Sequence, residues 1–165
     1  MAAAATAALL AAGCSDDVAG AGSSPSRGPS SVPSSLPSSA PSSVPDRVPA
    51  VLDGVRLLLE VADDRAERAV GLMRRTSVPP GTGMVFLYDE PSEGRFYMFD
   101  VPVPLRAVFI RNGRVVSTVV MPPCEEPVAR DCPTYGADGP FDTVVETAPE
   151  TLPDVAPGDA FVLGG

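Results

Sequence analysis

The chain has 165 residues and a formal net charge of −9, with 21 acidic residues, twelve arginines and neither histidine, lysine nor tryptophan. Without histidine and lysine it cannot assemble a Ser-His-Asp or Cys-His relay, a Schiff base or a Ser-Lys dyad, and the commonest metal ligand is missing. An acidic chain without lysine also lacks the clustered positive charge that nucleic acids and anionic lipids attract, so we predict no nucleic-acid partner.

The first segment, Ala2–Ala12, is apolar with one exception and has the length of a signal-peptide core. It is too short for a transmembrane helix, which needs roughly 20 apolar residues. The segment ends in Leu-Ala-Ala-Gly-Cys, which resembles a bacterial lipoprotein processing site with Leu10 displaced by one place. That resemblance implies that residues 1–13 are removed and that Cys14 carries a lipid anchor on the outer face of the cytoplasmic membrane. The alternative is conventional cleavage followed by secretion.

The second segment, residues 14–47, is of low complexity. From Pro25 to Pro45 a proline recurs at every fourth residue, and most of the intervening residues are serine. Proline fixes φ and serine has little to bury, so we predict a disordered, polyproline-like stalk without a packed core. At ~3.1 Å per residue, about thirty residues reach roughly 95 Å when fully extended. Residues 48–165 are predicted to form a single β-rich domain.

The domain begins with a predicted strand that is followed by a short helix. Apolar residues occupy alternate positions from Val55 to Val61, which is strand periodicity. Asp64 and Glu67 then have the spacing of a capping box, with Asp64 as the N-cap residue. Gly71 favours an early end to the helix. The pattern therefore predicts one short helix over about residues 64–73.

Six further strands are predicted from alternation and from turn residues. The strongest signal is Asn112-Gly113, because both residue types accept a positive φ and an apolar run flanks them on each side. Prolines between the runs confine pairing to short strands. About seven short strands with one helix predict a mainly β sandwich or barrel. The six strands are Met84–Tyr88, Arg95–Phe99 after a turn at 89–94, Ala107–Arg111, Arg114–Met121, Phe141–Glu146 and Ala160–Leu163.

An ordered series of motifs covers residues 55–163. Its members are Glu67–Arg74, Gly83–Phe86, Phe96–Met98, Pro104-Leu105 with Phe109, Pro123-Cys124, Cys132-Pro133 with Tyr135, and Pro157–Asp159. In this order the motifs resemble the bacterial and archaeal domain of unknown function 192 family. The resemblance implies a small, mainly β, jelly-roll-like sandwich. No activity is established for the family, so the resemblance implies a fold without a function.

This chain departs from the family pattern at two sites, and each site contains a charged residue. The family has Lys-Asn-Thr where this chain has Phe99-Asp100-Val101, and it has Asp where this chain has Arg106. The signs are thus exchanged across a bend that contains two prolines, which restrict the backbone between them. We therefore predict that Asp100 and Arg106 lie within ~4 Å of each other as a structural ion pair. Two unrelated surface charges are the alternative.

Cys124 and Cys132 are predicted to form a disulfide, because thiols oxidise outside the cytoplasm. The alternative is a metal site that adds Glu125, Glu126 or Asp131 to the two cysteines. Cysteine–carboxylate sites without histidine are uncommon, so we expect neither a metal nor a cofactor.

Five side chains are candidate binding residues, and no catalytic residue is proposed. An arginine in the helix is either a ligand-binding group or an ordinary residue of a capped surface helix. Aromatic residues at strand spacing form either a stacking platform or part of the core. A tyrosine that follows the second cysteine is a candidate for an exposed binding rim. The five candidates are Arg68, Tyr97, Asp100, Arg106 and Tyr135.

These features predict a membrane-tethered binding or accessory module of the cell envelope, whose partner is a wall polymer or an envelope protein. One alternative is a small carboxylate-dependent hydrolase acting on an envelope polymer. Its acid pair would come from Asp89, Asp100, Asp142 and Glu146, whose spacing selects no pair. The other alternative is a purely structural lipoprotein.

Overall fold

The computed structural model describes residues 47–164. The predicted signal peptide, Cys14 and the stalk up to residue 46 lie outside the described residues, so the statements about them stay predictions. Regular structure starts at Arg47, one residue before the predicted start of the domain. Within residues 47–164, no helix combines the length and the apolar character that crossing a membrane requires.

Nine strands, one α-helix and two short 3-10 helices make up the described part of the chain. The α-helix, α1, is Arg65–Val70, and the 3-10 helices are Ala129–Asp131 and Pro149–Thr151. The strands are β1 (Arg47–Leu52), β2 (Val55–Ala62), β3 (Thr82–Ser92), β4 (Phe96–Tyr97), β5 (Leu105–Arg111), β6 (Arg114–Met121), β7 (Thr134–Tyr135), β8 (Phe141–Thr147) and β9 (Phe161–Leu163).

Seven of these strands form one sheet in the order β6-β5-β8-β3-β2-β1-β9. Neighbouring strands are antiparallel except β2 and β3, which are parallel and are connected through α1. The other two strands, β4 and β7, form a separate small antiparallel sheet. The prediction of a mainly β fold with one short helix is confirmed.

The large sheet curls into a half-barrel, so that its two end strands approach each other. Arg114 at the start of β6 and Ala160 next to β9 form an isolated antiparallel bridge. The backbone N–H of Phe161 also donates to the carbonyl oxygen of Gly113 at 2.9 Å. These contacts cover part of both sheet edges, which would otherwise expose unpaired backbone groups.

Each face of the sheet has its own buried apolar cluster. The first face carries residues such as Leu59 and Val85, and the second carries residues such as Met84 and Phe86. Consecutive residues of β3 thus belong to different clusters, because side chains alternate between the faces of a strand. Residues of β4, β7 and the segment after α1 pack against the second cluster.

The local signals around α1 are confirmed. The backbone N–H of Glu67 donates to Asp64 Oδ1 at 2.8 Å, and the Glu67 carboxylate accepts from the backbone N–H of Asp64. Both halves of the capping box are therefore present. The helix ends after Val70, earlier than residue 73, because Gly71 has a φ of 50°.

The hairpin between β5 and β6 is also confirmed, with φ values of 49° at Asn112 and 70° at Gly113. The turn predicted at 89–94 is wrong, because β3 continues to Ser92. The strand predicted over Arg95–Phe99 is reduced to β4, which pairs with β7. Neither β1 nor β7 was expected from the sequence.

Candidate functional site

A cavity of about 170 Å³ lies on the second face of the sheet, lined by residues of α1, β3, β4, β5 and β8. Its walls are mainly apolar, and Leu72, Phe86, Met98, Val101 and Leu105 are the buried apolar side chains among them. A cavity of about 150 Å³ is large enough to hold benzene, so this one has room for a ligand of about six heavy atoms.

Glu146 is the buried acidic residue of this cavity lining. It lies in β8 opposite Met84 of β3 and Ala107 of β5, so its side chain faces the second cluster. Only 6% of the residue is exposed, and no hydrogen bond or ion pair within residues 47–164 reaches its carboxyl group. Burial raises the pKa of Glu146 from 4.5 to about 8. At neutral pH the carboxyl group is therefore mainly protonated and can donate a hydrogen bond.

Tyr88 and Arg68 form a second polar feature of the cavity lining. The guanidinium carbon of Arg68 lies 4.9 Å from the centre of the Tyr88 ring. Arg68 Nη1 donates to the carbonyl oxygen of Leu87 at 2.8 Å and to that of Asp63. Burial raises the pKa of Tyr88, the Arg68 charge opposes that shift, and Glu146 adds to it. Tyr88 is thus close enough to both residues to feel their charges.

Arg95 supplies a second cation to the lining. Its Nε donates to Thr134 Oγ1 at 2.8 Å and its Nη2 to the carbonyl oxygen of Thr134 at 2.7 Å. Like those of Arg68, these partners are neutral oxygens rather than carboxylates. Since the Glu146 carboxyl group is protonated at neutral pH, the lining carries two positive charges that no carboxylate of the described residues balances.

Two glycines allow the backbone to approach closely around the cavity. A Cβ atom on Gly83 of β3 would lie 2.1 Å from the carbonyl oxygen of Glu146, so only glycine lets β3 and β8 pair at this point. A Cβ atom on Gly71 would lie 3.3 Å from Phe86 Cζ, and its φ of 50° also favours glycine. Both glycines thus fix elements that carry cavity residues.

The rim of the cavity has two exposed apolar side chains. Val70 at the end of α1 is 60% exposed, and Tyr97 of β4 is 39% exposed. Exposed apolar residues at the opening of an apolar cavity are a common feature of ligand sites.

The comparisons with known proteins agree with this fold. Residues 49–162 match the model of the DUF192 family, which is described as an uncharacterized ACR. The chain belongs to this family. No functionally curated protein matches it.

Two solved structures are similar to the chain. The first is a protein of unknown function from Novosphingobium aromaticivorans, which has 29% sequence identity and a TM-score of 0.59 over 78% of this chain and 94% of that one. The second is a protein from Sinorhizobium meliloti named as a "putative transcription regulator", with 26% identity and a TM-score of 0.58 over 71% of this chain and 92% of that one. Membership of the DUF192 family therefore indicates the fold of this chain but does not indicate an activity.

The structure brings two of the five candidate binding residues, Arg68 and Tyr97, to the cavity. Tyr135 is half-buried and packs against the second cluster, where it pairs with Phe96 across β4 and β7. The other aromatic residues near the cavity are mainly core, since Phe86 and Phe109 are buried and make edge-on contacts with Phe96.

The predicted ion pair between Asp100 and Arg106 does not form. Asp100 Oδ2 accepts from Arg74 Nε at 3.0 Å, whereas the Arg106 side chain donates to the carbonyl oxygen of Pro149 and to Thr118 Oγ1, both at 3.4 Å. Arg106 follows Leu105 in β5, and Leu105 faces the cavity. Because side chains alternate along a strand, Arg106 points to the opposite face of the sheet, away from the bend.

The disulfide between Cys124 and Cys132 is confirmed. In the part of the chain that the structure describes, no group of three or more cysteine and acidic side chains has the arrangement of a metal site. Asp142 is held by Arg111 at 3.3 Å and by the backbone N–H of Asn112 at 2.9 Å. Neither Asp89, Asp100 nor Asp142 lines the cavity with Glu146.

Sequence reasoning named Glu146 only as one of four carboxylates and did not select it. A signal was available, because Glu146 follows Val144 by two positions in β8 and therefore lies on the same face of the strand. An acid in the inward register of a strand indicates either a buried ion pair or a site.

Proposed function

We propose that this domain is a ligand-binding module held by a lipid anchor at the outer face of the cytoplasmic membrane, with the cavity around Glu146 as its binding site. The observation that carries the proposal is the Glu146 carboxyl group, which is nearly buried, faces an apolar cavity and has no hydrogen-bond partner among residues 47–164. Burying a polar group without a hydrogen bond is costly, and a group kept in that state at a cavity is a candidate for ligand contact.

Binding fits this site better than hydrolysis. Glycoside hydrolysis uses two carboxyl groups that flank the scissile bond. Among the described residues that line the cavity, Glu146 is the one carboxylate. The lining instead combines apolar walls with a few polar groups, which is typical of a recognition site.

The display of the module outside the cytoplasm is supported by the lipoprotein-like sequence at Cys14, the Ser/Pro-rich stalk and the Cys124–Cys132 disulfide, since such bonds persist mainly in oxidising compartments. A wall polymer or an envelope protein would then supply the ligand. The name of the similar protein from Sinorhizobium meliloti suggests regulation of transcription, but a net charge of −9 without lysine does not favour DNA contact by this chain.

The binding site is tested by nuclear magnetic resonance on the full chain, with the methyl signals of Leu72, Met98, Val101 and Leu105 as reporters. The probes are wall-peptide fragments, small carboxylic acids and small amines. We expect at least one probe to shift these signals in the wild type. Val70→Trp should narrow the opening and weaken that response, whereas the matched control Val162→Trp, at an exposed position outside the lining, should not.

A failure of every probe to move the cavity signals, or an equal response in Val70→Trp and Val162→Trp, would contradict the binding site. The anchor is tested separately by detergent-phase partitioning. The wild type should enter the detergent phase and Cys14→Ala should remain in the aqueous phase, because two acyl chains are needed for stable anchoring. Equal partitioning of the two proteins argues against the lipoprotein proposal.

A further inference from the structure

Four polar side chains of the cavity lining, Arg68, Tyr88, Arg95 and protonated Glu146, each favour a negatively charged oxygen. Arg68 and Arg95 carry positive charges whose hydrogen-bond partners are neutral oxygens. Glu146 and Tyr88 have no hydrogen-bond acceptor for their hydroxyl protons among residues 47–164. The O–H groups of Glu146 and Tyr88, which no acceptor of the described residues engages, thus share one mainly apolar lining with two cations.

From this arrangement we infer that the cavity binds a small carboxylate, whose anionic oxygens accept hydrogen bonds from Glu146 and Tyr88 while its short apolar chain contacts the walls. The inference rests on the proposed function and names the chemical class of its ligand. The volume of about 170 Å³ suits roughly six heavy atoms, which is the size of butyrate.

The protonated state of Glu146 supports this direction of hydrogen bonding. A carboxyl group kept neutral by burial can donate to an oxyanion, and a hydrogen bond to a charged acceptor is stronger than one to a neutral acceptor. An ammonium ligand would instead require Glu146 to ionise and would meet the uncompensated charges of Arg68 and Arg95. Charge complementarity therefore separates the two ligand classes.

The test compares three probes of similar size on the full chain, namely butyrate, its neutral isostere butyramide, and butylammonium. Each probe is titrated into the protein, and its dissociation constant is obtained from the shifts of the methyl signals of the cavity lining. We expect butyrate to bind about tenfold or more tightly than butyramide at pH 7, because charge-assisted hydrogen bonds are the stronger ones. Butylammonium should bind most weakly.

The pH dependence tests the role of Glu146 directly. With a pKa of about 8, Glu146 is mainly protonated at pH 7 and mainly ionised at pH 9, so wild-type affinity for butyrate should fall about tenfold between these values. The other charged or titratable side chains of the lining include Arg68, Arg95 and Tyr88, and burial raises the pKa of Tyr88 above its ordinary value. The Tyr97 phenol lies at the rim of the same lining.

Two variants separate a binding role from a structural one. Glu146→Gln keeps an N–H donor that does not titrate, so it should bind butyrate at pH 9 about as well as at pH 7. Tyr88→Phe removes the second donor and should weaken butyrate about tenfold at both pH values. Thermal unfolding and the methyl spectrum of each variant establish that it is folded.

A preference for butylammonium that strengthens as the pH rises and disappears in Glu146→Gln would overturn this inference, while the cavity would remain a binding site. Equal affinities for butyrate and butyramide, without pH dependence, would overturn it in favour of a neutral ligand. If no probe of any class moves the cavity signals, the proposed function itself fails.

Discussion

Two buried glutamates in this domain have opposite environments. Glu60 is 5% exposed, and its carboxylate accepts from Arg47 Nη2 at 2.9 Å and from Arg75 Nη2 at 2.5 Å. Glu146 is 6% exposed and has no such partner within residues 47–164. Burial costs a charged carboxylate several kcal/mol unless partners compensate it. Two arginines compensate the Glu60 carboxylate, whereas burial favours the neutral form of Glu146.

Glu146→Gln should therefore stabilise the protein at neutral and higher pH. The pKa of Glu146 is raised from 4.5 to about 8 on folding, so the folded state binds more protons than the unfolded state between these values. Wild-type stability then falls as pH rises through that window, by up to about 5 kcal/mol in total, and is constant above it. The variant lacks this loss, so its advantage should be small near pH 5 and largest above pH 8, as measured by urea unfolding.

Glu60→Gln is the matched control, since it makes the same chemical change at an equally buried site. It should destabilise the protein at pH 7 by about 1–3 kcal/mol, because two arginines lose their carboxylate partner. The lower end of this range is favoured, since the Arg47 and Arg75 side chains are 46% and 42% exposed and water screens them. The Glu146 prediction fails if the free energy of unfolding of Glu146→Gln changes with pH in parallel with that of the wild type.

At the scale of elements, the features predicted correctly were those encoded by neighbouring residues. The capping box of α1 needs only Asp64 and Glu67, and the β5–β6 turn needs only Asn112-Gly113. The connection from β1 to β2 carries the same kind of local signal. Asp53-Gly54, with φ values of 47° and 81°, joins β1 to β2 by the same kind of two-residue turn.

Pairings between distant segments could not be predicted in this way. Phe96 of β4 pairs with Tyr135 of β7. The neighbouring residue of β7, Thr134, accepts a hydrogen bond from the Arg95 side chain. Each of these strands has only two residues, which is too short for periodicity to appear in the sequence. Their pairing depends on the second cluster, which is assembled from several strands, so it becomes visible only in three dimensions.

The contact between β3 and β8 gives a prediction for an element. Gly83→Ala should destabilise the domain by at least about 2 kcal/mol, because the new Cβ would lie 2.1 Å from the carbonyl oxygen of Glu146. The backbone of β3 or β8 must therefore shift to relieve the clash. Gly139→Ala is the control, since no atom lies within 4 Å of its new Cβ. Thermal unfolding measures both variants. Equal melting temperatures would mean that the β3–β8 pairing adjusts freely.

At the scale of the whole molecule, the cavity depends on residues that the chain brings together from far apart. The sequence alone identifies Arg68 and Tyr97 as candidates, because a helix arginine and a strand aromatic are recognisable from their neighbouring residues. The importance of Glu146 depends on Met84 and Ala107, its cross-strand neighbours in β3 and β5. Sequence periodicity can place an acid on an inward face, but it cannot show whether an arginine reaches it.

The predicted boundary between stalk and domain can be tested by two truncations that differ by two residues. A chain that starts at Asp46 should unfold at the same temperature as the full mature chain, because a segment of serine and periodic proline has too little apolar surface to stabilise a fold. A chain that starts at Val48 also loses Arg47, whose Nη2 lies 2.9 Å from the buried Glu60 carboxylate. We expect the loss of this ion pair to destabilise the domain by about 1 kcal/mol and to lower its melting temperature by roughly 3–6 °C.

The melting temperatures of the full mature chain and of both truncated chains are measured by circular dichroism. If the chain that starts at Asp46 melts at a lower temperature than the full mature chain, the stalk stabilises the domain. If the two truncated chains melt at the same temperature, the ion pair of Arg47 with Glu60 contributes nothing to the stability of the domain.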